Sequence, residues 1–431
     1  VLTFFAPELV GVEVFRRVRM SLAGYVVGWA FLFLGGAWEE PPGAGPAGVT
    51  EAERLDLARR IETAFAAGDL ETIERVFDKG ALFTRATRDI GWEPDFLAGA
   101  RSGFLRGGWG KRIHAELGAE GSYRFLRLRE EGALFRVLLA TGVNYHQLHL
   151  ERSAAGELRV VDFYAYSTGE LMSETVRRLL VNAVPREKPG FLEKLFGRER
   201  SMARHLQKLT DLERCRAEER WEEGLAIYRR LPREVQLDKV FLMARLMLAL
   251  HVESDEYLQA IEDFERAFPG DPALDLVSID GHFLRKRHDQ ALATIDRLDR
   301  KLGGDPYLDD LRASLHLDRG ALAPAKELAR RALTREPGLL PAHWTLVTIA
   351  LKEKDHRETA RLLTVIEKDF EVELADLESV EEYRDFVKSP EYRRWRAARA
   401  AGAARAGIDE HRSDAAEEEG PALPGASPGG G

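Results

Sequence analysis

Four side chains with acid, base or proton-donor chemistry fall in two neighbouring strand-like runs. Tyr145 and His149 lie in VNYHQLHLER, and Asp162 and Tyr164 lie in ELRVVDFYAYS. An aspartate raised towards neutral pH by burial, or a histidine oriented by a carboxylate, can act as a general base, with a tyrosine as donor. Trp109, set among Gly107, Gly108 and Gly110, joins them as a candidate pocket residue. Strand parity bears on the set. Val161 and Phe163 form the obvious core-facing pair, which sends Asp162 and Tyr164 to the other face. That face either lines a pocket or is an ordinary polar sheet surface, and ligand binding without turnover ranks ahead of catalysis.

Other chemical patterns fail on spacing. GGWGKR, from Gly107 to Arg112, has Leu105 and Arg112 where a phosphate-binding loop requires glycine and a hydroxyl residue. His146 and His149 are three apart on a strand and so face opposite ways, which prevents joint ligation of one metal. Neither HExxH nor GxSxG occurs. The single cysteine, Cys215, excludes an intrachain disulfide and a cysteine-based zinc site. It sits in the helical pattern DLERCRAEERW and reads as a small buried hydrophobe. No catalytic residue, cofactor or metal is assigned.

The chain has 431 residues, 45% hydrophobic and 31% charged, with a net charge of −9. That balance offers no electrostatic footprint for nucleic acid. Leu22 to Trp38 is an uncharged apolar run preceded by Arg16, Arg17 and Arg19 and ending near Gly35-Gly36-Ala37. The pattern predicts an export signal, with a signal anchor as the alternative because the run approaches a bilayer's thickness. Membrane contact is expected only through residues 22–38. The rest of the chain is expected to be soluble.

Residues 39–49 (EEPPGAGPAGV) read as a spacer. Thr50 and Glu53 then form a capping box, and Leu57, Ile61 and Phe65 continue at helical spacing. Leu70, Ile73 and Phe77 line a second short helix, and the next forty residues read as loop-rich. From Ser122 four strand-like runs follow, divided by Glu131-Gly132, Gly142 and Ala155-Gly156, and a helix is predicted from Glu170 to Val181. Short connections predict an antiparallel meander, and helices followed by strands predict an α+β domain over 50–182, with helices packed on one face of a curved sheet. This order, the turn residues Ala66, Gly68 and Asp69, and the final VVDFYAYSTG resemble the nuclear transport factor 2-like (SnoaL-like) cone fold. The resemblance covers about residues 51–181. It implies an interior pocket in which an Asp or His base and a Tyr donor act on small ring or carbonyl substrates, or one that holds a small hydrophobic ligand.

A Pro/Gly linker is expected over 183–200, and beyond it everything is helical in short units. Small residues recur near the start of every second helix: Gly224, Ala260, Ala291, Ala325 and Ala360. Four residues later stand Tyr228, Phe264, Ile295, Ala329 and Thr364. Seven later stand Leu231, Ala267, Leu298, Ala332 and Glu367. Proline follows twelve residues after the small position at Pro272 and Pro337. Small residues let paired helices approach, and proline, which cannot continue a helix, marks the turn into the next pair. AIEDFERAFPGDP and AKELARRALTREP resemble the second helix of the tetratricopeptide repeat, and the likeness covers about residues 203–370. It implies a helical solenoid over 201–398 with a groove that receives a partner chain. Tyr383, Phe386, Tyr392 and Trp395 are expected to cap the array, with Pro390 starting its final helix. Residues 399–431 cannot bury a core.

The reading is a multi-domain protein: an N-terminal extension with signal or anchor over 1–38, the α+β domain, and the repeat array. Its expected role is a non-enzymatic protein-interaction scaffold at the bacterial cell envelope, exported or anchored in the inner membrane. The alternative is a small-ligand-binding, isomerase-like or hydratase-like enzyme using the α+β pocket.

Overall fold

The structure is a computed structural model that describes residues 48–89, 91–118, 121–130, 132–139, 142–183, 200–252, 255–374 and 376–401. The apolar run 22–38, most of the spacer 39–49, the greater part of the linker 183–200 and the tail from 402 lie outside the described residues.

Helix α1 (Glu51–Ala67) begins at the capping box: Thr50 Oγ1 accepts from Glu53 N, and Glu53 accepts from Thr50 N at 2.8 Å. It stops at Gly68, whose φ of 65° closes the helix in the left-handed conformation that glycine tolerates. Then come α2 (Leu70–Val76), α3 (Lys79–Thr87), α4 (Pro94–Arg106) and α5 (Trp109–Leu117). The stretch read as loop-rich is therefore mostly helical. Asp78 caps α3 by accepting from Ala81 N, and Pro94 opens α4. The apolar pattern gave little sign of α4 because none of its residues is fully buried, so no strong stripe was required.

Five antiparallel strands follow in sequence order: β1 (Ser122–Arg129), β2 (Gly132–Leu139), β3 (Gly142–Arg152), β4 (Leu158–Ala165) and β5 (Glu170–Leu171). The short β5 occupies the predicted start of the closing helix, so α6 (Met172–Ala183) begins two residues later. One face of the sheet packs on the helices: Phe135, Leu148, Val160 and Phe163 share a core with Leu57, Ile61, Phe65 and Phe83. Phe65 stacks on Tyr123 with ring centroids 4.2 Å apart.

From residue 200 the described chain is helical, and five helix pairs follow one another: α7 (Arg200–Ala217) with α8 (Trp221–Arg229), then after the short α9 (Arg233–Gln236), α10 (Lys239–Ala249) with α11 (Glu256–Ala267), α12 (Pro272–Leu284) with α13 (His288–Leu302), α14 (Pro306–Asp318) with α15 (Leu322–Arg335), and α16 (Leu340–Lys352) with α17 (His356–Asp369). The last three pairs keep one period. Their first helices begin at Pro272, Pro306 and Leu340, and their second helices at His288, Leu322 and His356, each 34 residues apart.

The turn inside four of the five pairs repeats in atomic detail. Lys286, Gly320 and Lys354 have φ of 55°, 73° and 57°, and Glu219 of the first pair has 56°. At each, the following amide donates back five residues, from Arg220 to Cys215, Arg287 to His282, Ala321 to His316 and Asp355 to Ala350. This double-bonded left-handed cap satisfies the carbonyls left over at the end of the first helix.

Period and packing correct the register of the last unit. Ala291 and Ala325 are fully buried, but the next residue in step is Thr359, at 0% exposure, while Ala360 is only half-buried. Leu363 and Ile366 replace Thr364 and Glu367 at the positions matching Ala329 and Ala332. Gly224, Tyr228, Ala260, Phe264 and Ile295 are buried as their pattern requires, and Ala267 is half-buried. A side chain at Gly224 would strike Leu248 at 2.8 Å. Beyond α17, Tyr383, Phe386, Tyr392 and Trp395 pack on Leu346, Leu362 and Ile366, and the helix over 390–401 begins at Pro390.

Candidate functional site

The sheet face opposite the helices is occupied by the helical array. Leu134, Val143, Tyr145, Tyr164 and Tyr166 share a core with Leu276, Ile279, Tyr307, Leu308 and Leu311. The array meets the sheet through the turns that link one pair to the next. Lys239, at the start of α10, reaches the carbonyl of Gly169 and the carboxylate of Asp271. Arg127 donates to the carbonyls of Gly303 and Gly304, and Arg129 Nη2 to that of Lys301 at 2.6 Å. These carbonyls end α13, where cations are favoured by the helix dipole.

At the centre Arg136, on β2, donates to Asp305 at 2.6 Å and to Glu336 at 3.0 Å. Tyr145 Oη donates to the other oxygen of Asp305 at 2.8 Å. Asp305 also caps α14 by accepting from Tyr307 N. Burial works against the Arg136 cation, but Asp305 and Glu336 outweigh it and hold its pKa above the ordinary value. Burial, then the Asp305 charge, pushes the Tyr145 phenol well up.

The five candidate pocket residues therefore divide. Tyr145 and Tyr164 are covered by the array and serve the junction; Lys239 stands 5.9 Å from the centre of the Tyr164 ring. Trp109 is the first residue of α5, a helix that packs on the helix-covered face through Ile113 and Leu117. His149 and Asp162 do meet as cross-strand partners, next to a bulge in the β3–β4 ladder. Asp162 Oδ1 accepts from Ser173 N and Phe163 N, which ties it to the first turn of α6. Its other oxygen has no hydrogen-bond partner among the described residues. Burial raises Asp162 to about 6 and lowers His149 to about 4. Asp162 is 1% exposed, so its carboxyl is closed to solvent, whereas His149 is half-buried.

His146 points to the opposite face, as parity demands. It lies 3.1 Å from Tyr123 Oη and 3.1 Å from the Asn144 amide, and burial lowers it to about 3. Cys215 is buried in α7. Among the described residues no group of three or more potential ligands could hold a metal, and no helix is long and apolar enough to cross a membrane.

On the array a charged motif recurs that the sequence reading missed. Asp275 accepts from Arg297 at 2.9 Å and from Lys301. One period later Asp309 accepts from Arg331 and, at 3.2 Å, from Arg335, with Arg312 added at 3.0 Å. Both aspartates are at most 2% exposed, so each ties the first helix of a pair to the second. Comparing residues 34 apart would have found it, since Asp, Arg and a second cation stand at matching positions. Beside the first clamp lies a cleft of about 270 Å³ lined by Glu265, Gly270, Asp275, Arg297, Arg300 and Lys301. That is room for a side chain more than for a cofactor.

Comparison of the chain with family models, curated proteins and solved structures finds no match.

Proposed function

We propose that this chain is a scaffold of the tetratricopeptide-repeat kind, binding a partner protein on its helical array and carrying out no chemistry itself. One observation carries the reading: three consecutive helix pairs share one period, and two of them share one buried charge clamp. Stacking equivalent units extends a surface and does not enclose a reaction centre. The α+β domain, read as nuclear transport factor 2-like, braces the array from its turn side. With residues 22–38 as signal or anchor, the protein belongs at the bacterial cell envelope.

The second reading, a small-ligand or proton-transfer site in the α+β domain, is favoured by the unpartnered Asp162 oxygen beside His149. A carboxyl near neutral pKa is what a general base requires. The seal over Asp162 and the use of Tyr145 and Tyr164 at the junction weigh against it.

Photo-crosslinking in cells separates the two. A photoreactive residue replacing Arg300, Arg330 or Arg393 in the full chain, one at a time, is expected to trap the same protein from one or two of these positions. The scaffold reading is lost if none traps a protein and the purified chain instead retains a small molecule that Asp162→Asn releases.

A further inference from the structure

The turn before α12 and the turn before α14 are equivalent notches 34 residues apart, and the sheet fills only one. Positions 34 residues on from the Gly270 lining are Asp299, Asp309, Arg331, Thr334 and Arg335, and of these Asp299 and Arg335 reach Gly304. Around Gly270 the matching residues are Glu265, Asp275, Arg297, Arg300 and Lys301. At Gly304 the guanidinium of Arg127 enters from β1 and donates to the turn carbonyls; burial and the neighbouring Arg129 and Arg335 work against its charge and hold its pKa below the ordinary value, with Asp305 and Asp299 offsetting them in part. Among the described residues no side chain of the sheet lines the Gly270 cleft. A Cβ there would meet no heavy atom within 4 Å.

Two substitutions change what the open notch can hold. Lys301 Nζ already donates to the Gly270 carbonyl at 2.8 Å, taking the acceptor that Arg127 uses in the other notch. Arg300 stands where the filled notch has Thr334; it is exposed and has no ion-pair partner among the described residues. Asp275 is saturated by Arg297 and Lys301, which leaves Glu265 as the one remaining acid of the lining. The filled notch is a receptor for a cation. The open one presents N–H donors and a spare positive charge.

We propose that the Gly270 cleft receives a carboxylate side chain from an acidic segment of the partner, with Arg300 as its ion-pair partner and the clamped Lys301 and Arg297 as supporting charges. A carboxylate on a guanidinium gains charge-assisted hydrogen bonds that a neutral or basic side chain lacks. The inference rests on the scaffold reading and names the chemistry its partner must show.

The test uses the full chain and labelled hexaglutamate, hexaserine and hexalysine peptides, with binding followed by fluorescence anisotropy at low ionic strength. Hexaglutamate is expected to bind and hexalysine not to. Arg300→Thr, which copies the filled notch, should weaken hexaglutamate by about tenfold or more. Arg300→Lys should keep most of the affinity, and Arg59→Thr, at an exposed position on α1, should leave it unchanged. Equal binding by wild type and Arg300→Thr, preference for hexalysine, or no binding of hexaglutamate overturns the proposal. A partner still trapped elsewhere on the array would then leave the scaffold reading standing without it.

Discussion

Arg136 Nη1 lies 2.6 Å from Asp305 Oδ1, and neither side chain is exposed to solvent. The pair joins the middle of β2 to the N-cap of α14 across 169 residues of sequence. Because Tyr145 and Glu336 complete the set, the sheet and the array share one buried polar network within one core. The linker between them does not mark a boundary between independent bodies.

Breaking that network from one side should therefore unfold more than a contact. Arg136→Ala leaves Asp305 buried without its cation, and such a loss typically costs about 3–5 kcal/mol. Urea unfolding of the wild type is expected to be a single transition by both near- and far-ultraviolet dichroism. In Arg136→Ala the midpoint should fall, and Tyr145→Phe added to it should cost less than it does alone. An unchanged midpoint would mean that the network is dispensable.

The repeated turn predicts a stabilising change. Glu219 holds a left-handed conformation with φ of 56°, where a side chain costs about 1 kcal/mol relative to glycine. Its side chain is exposed. Glu219→Gly should raise stability by about that amount, and Gly320→Ala, which has open space for its Cβ, should lower it similarly. Thermal melts of both variants check the pair, and a destabilised Glu219→Gly would contradict the turn geometry.

The corrected register of the last unit is testable with one residue pair. Thr359 is sealed between helices and Ala360 is half-buried. Thr359→Leu overfills a packed site and should cost about 1–3 kcal/mol, whereas Ala360→Leu should lie within about 1 kcal/mol of the wild type. The reverse order would restore Ala360 as the packing position.

Asp310 gives a pH signature. It is buried in α14, one carboxyl oxygen has no hydrogen-bond partner among the described residues, and burial raises it to about 7. A carboxyl raised in the folded state contributes stability in full below its unfolded value of about 4. That contribution is lost as pH rises through about 7. The melting temperature of the wild type should thus decline from pH 5 to pH 8 more steeply than that of Asp310→Asn. Parallel profiles would show that Asp310 does not titrate in this range.

The sequence determined the elements wherever local chemistry was strong. The capping box at Thr50 and Glu53, the four strand runs between turn glycines, and the helix-starting prolines Pro272 and Pro390 act within a few residues, so each is legible in order, whereas Pro337 stands in the turn three residues ahead of α16. Strand parity placed Asp162 and Tyr164 on the face opposite Phe163, but the bulge in the β3–β4 ladder puts Val160, and not the expected Val161, in the core beside Phe163. What covers that face was not legible. Tyr145 and Tyr164 have the residue types of a pocket, but an array more than a hundred residues downstream packs over them. Asp305 caps α14 within its own neighbourhood, while its pairing with Arg136 is made only across 169 residues of chain. The small-residue pattern drifted by one at Ala360 because alanine and threonine both fit between helices, and only the packed pair selects Thr359. Local hydrogen bonding and chain stereochemistry are written residue by residue, whereas the choice of which faces meet depends on shape and charge brought together by the whole fold.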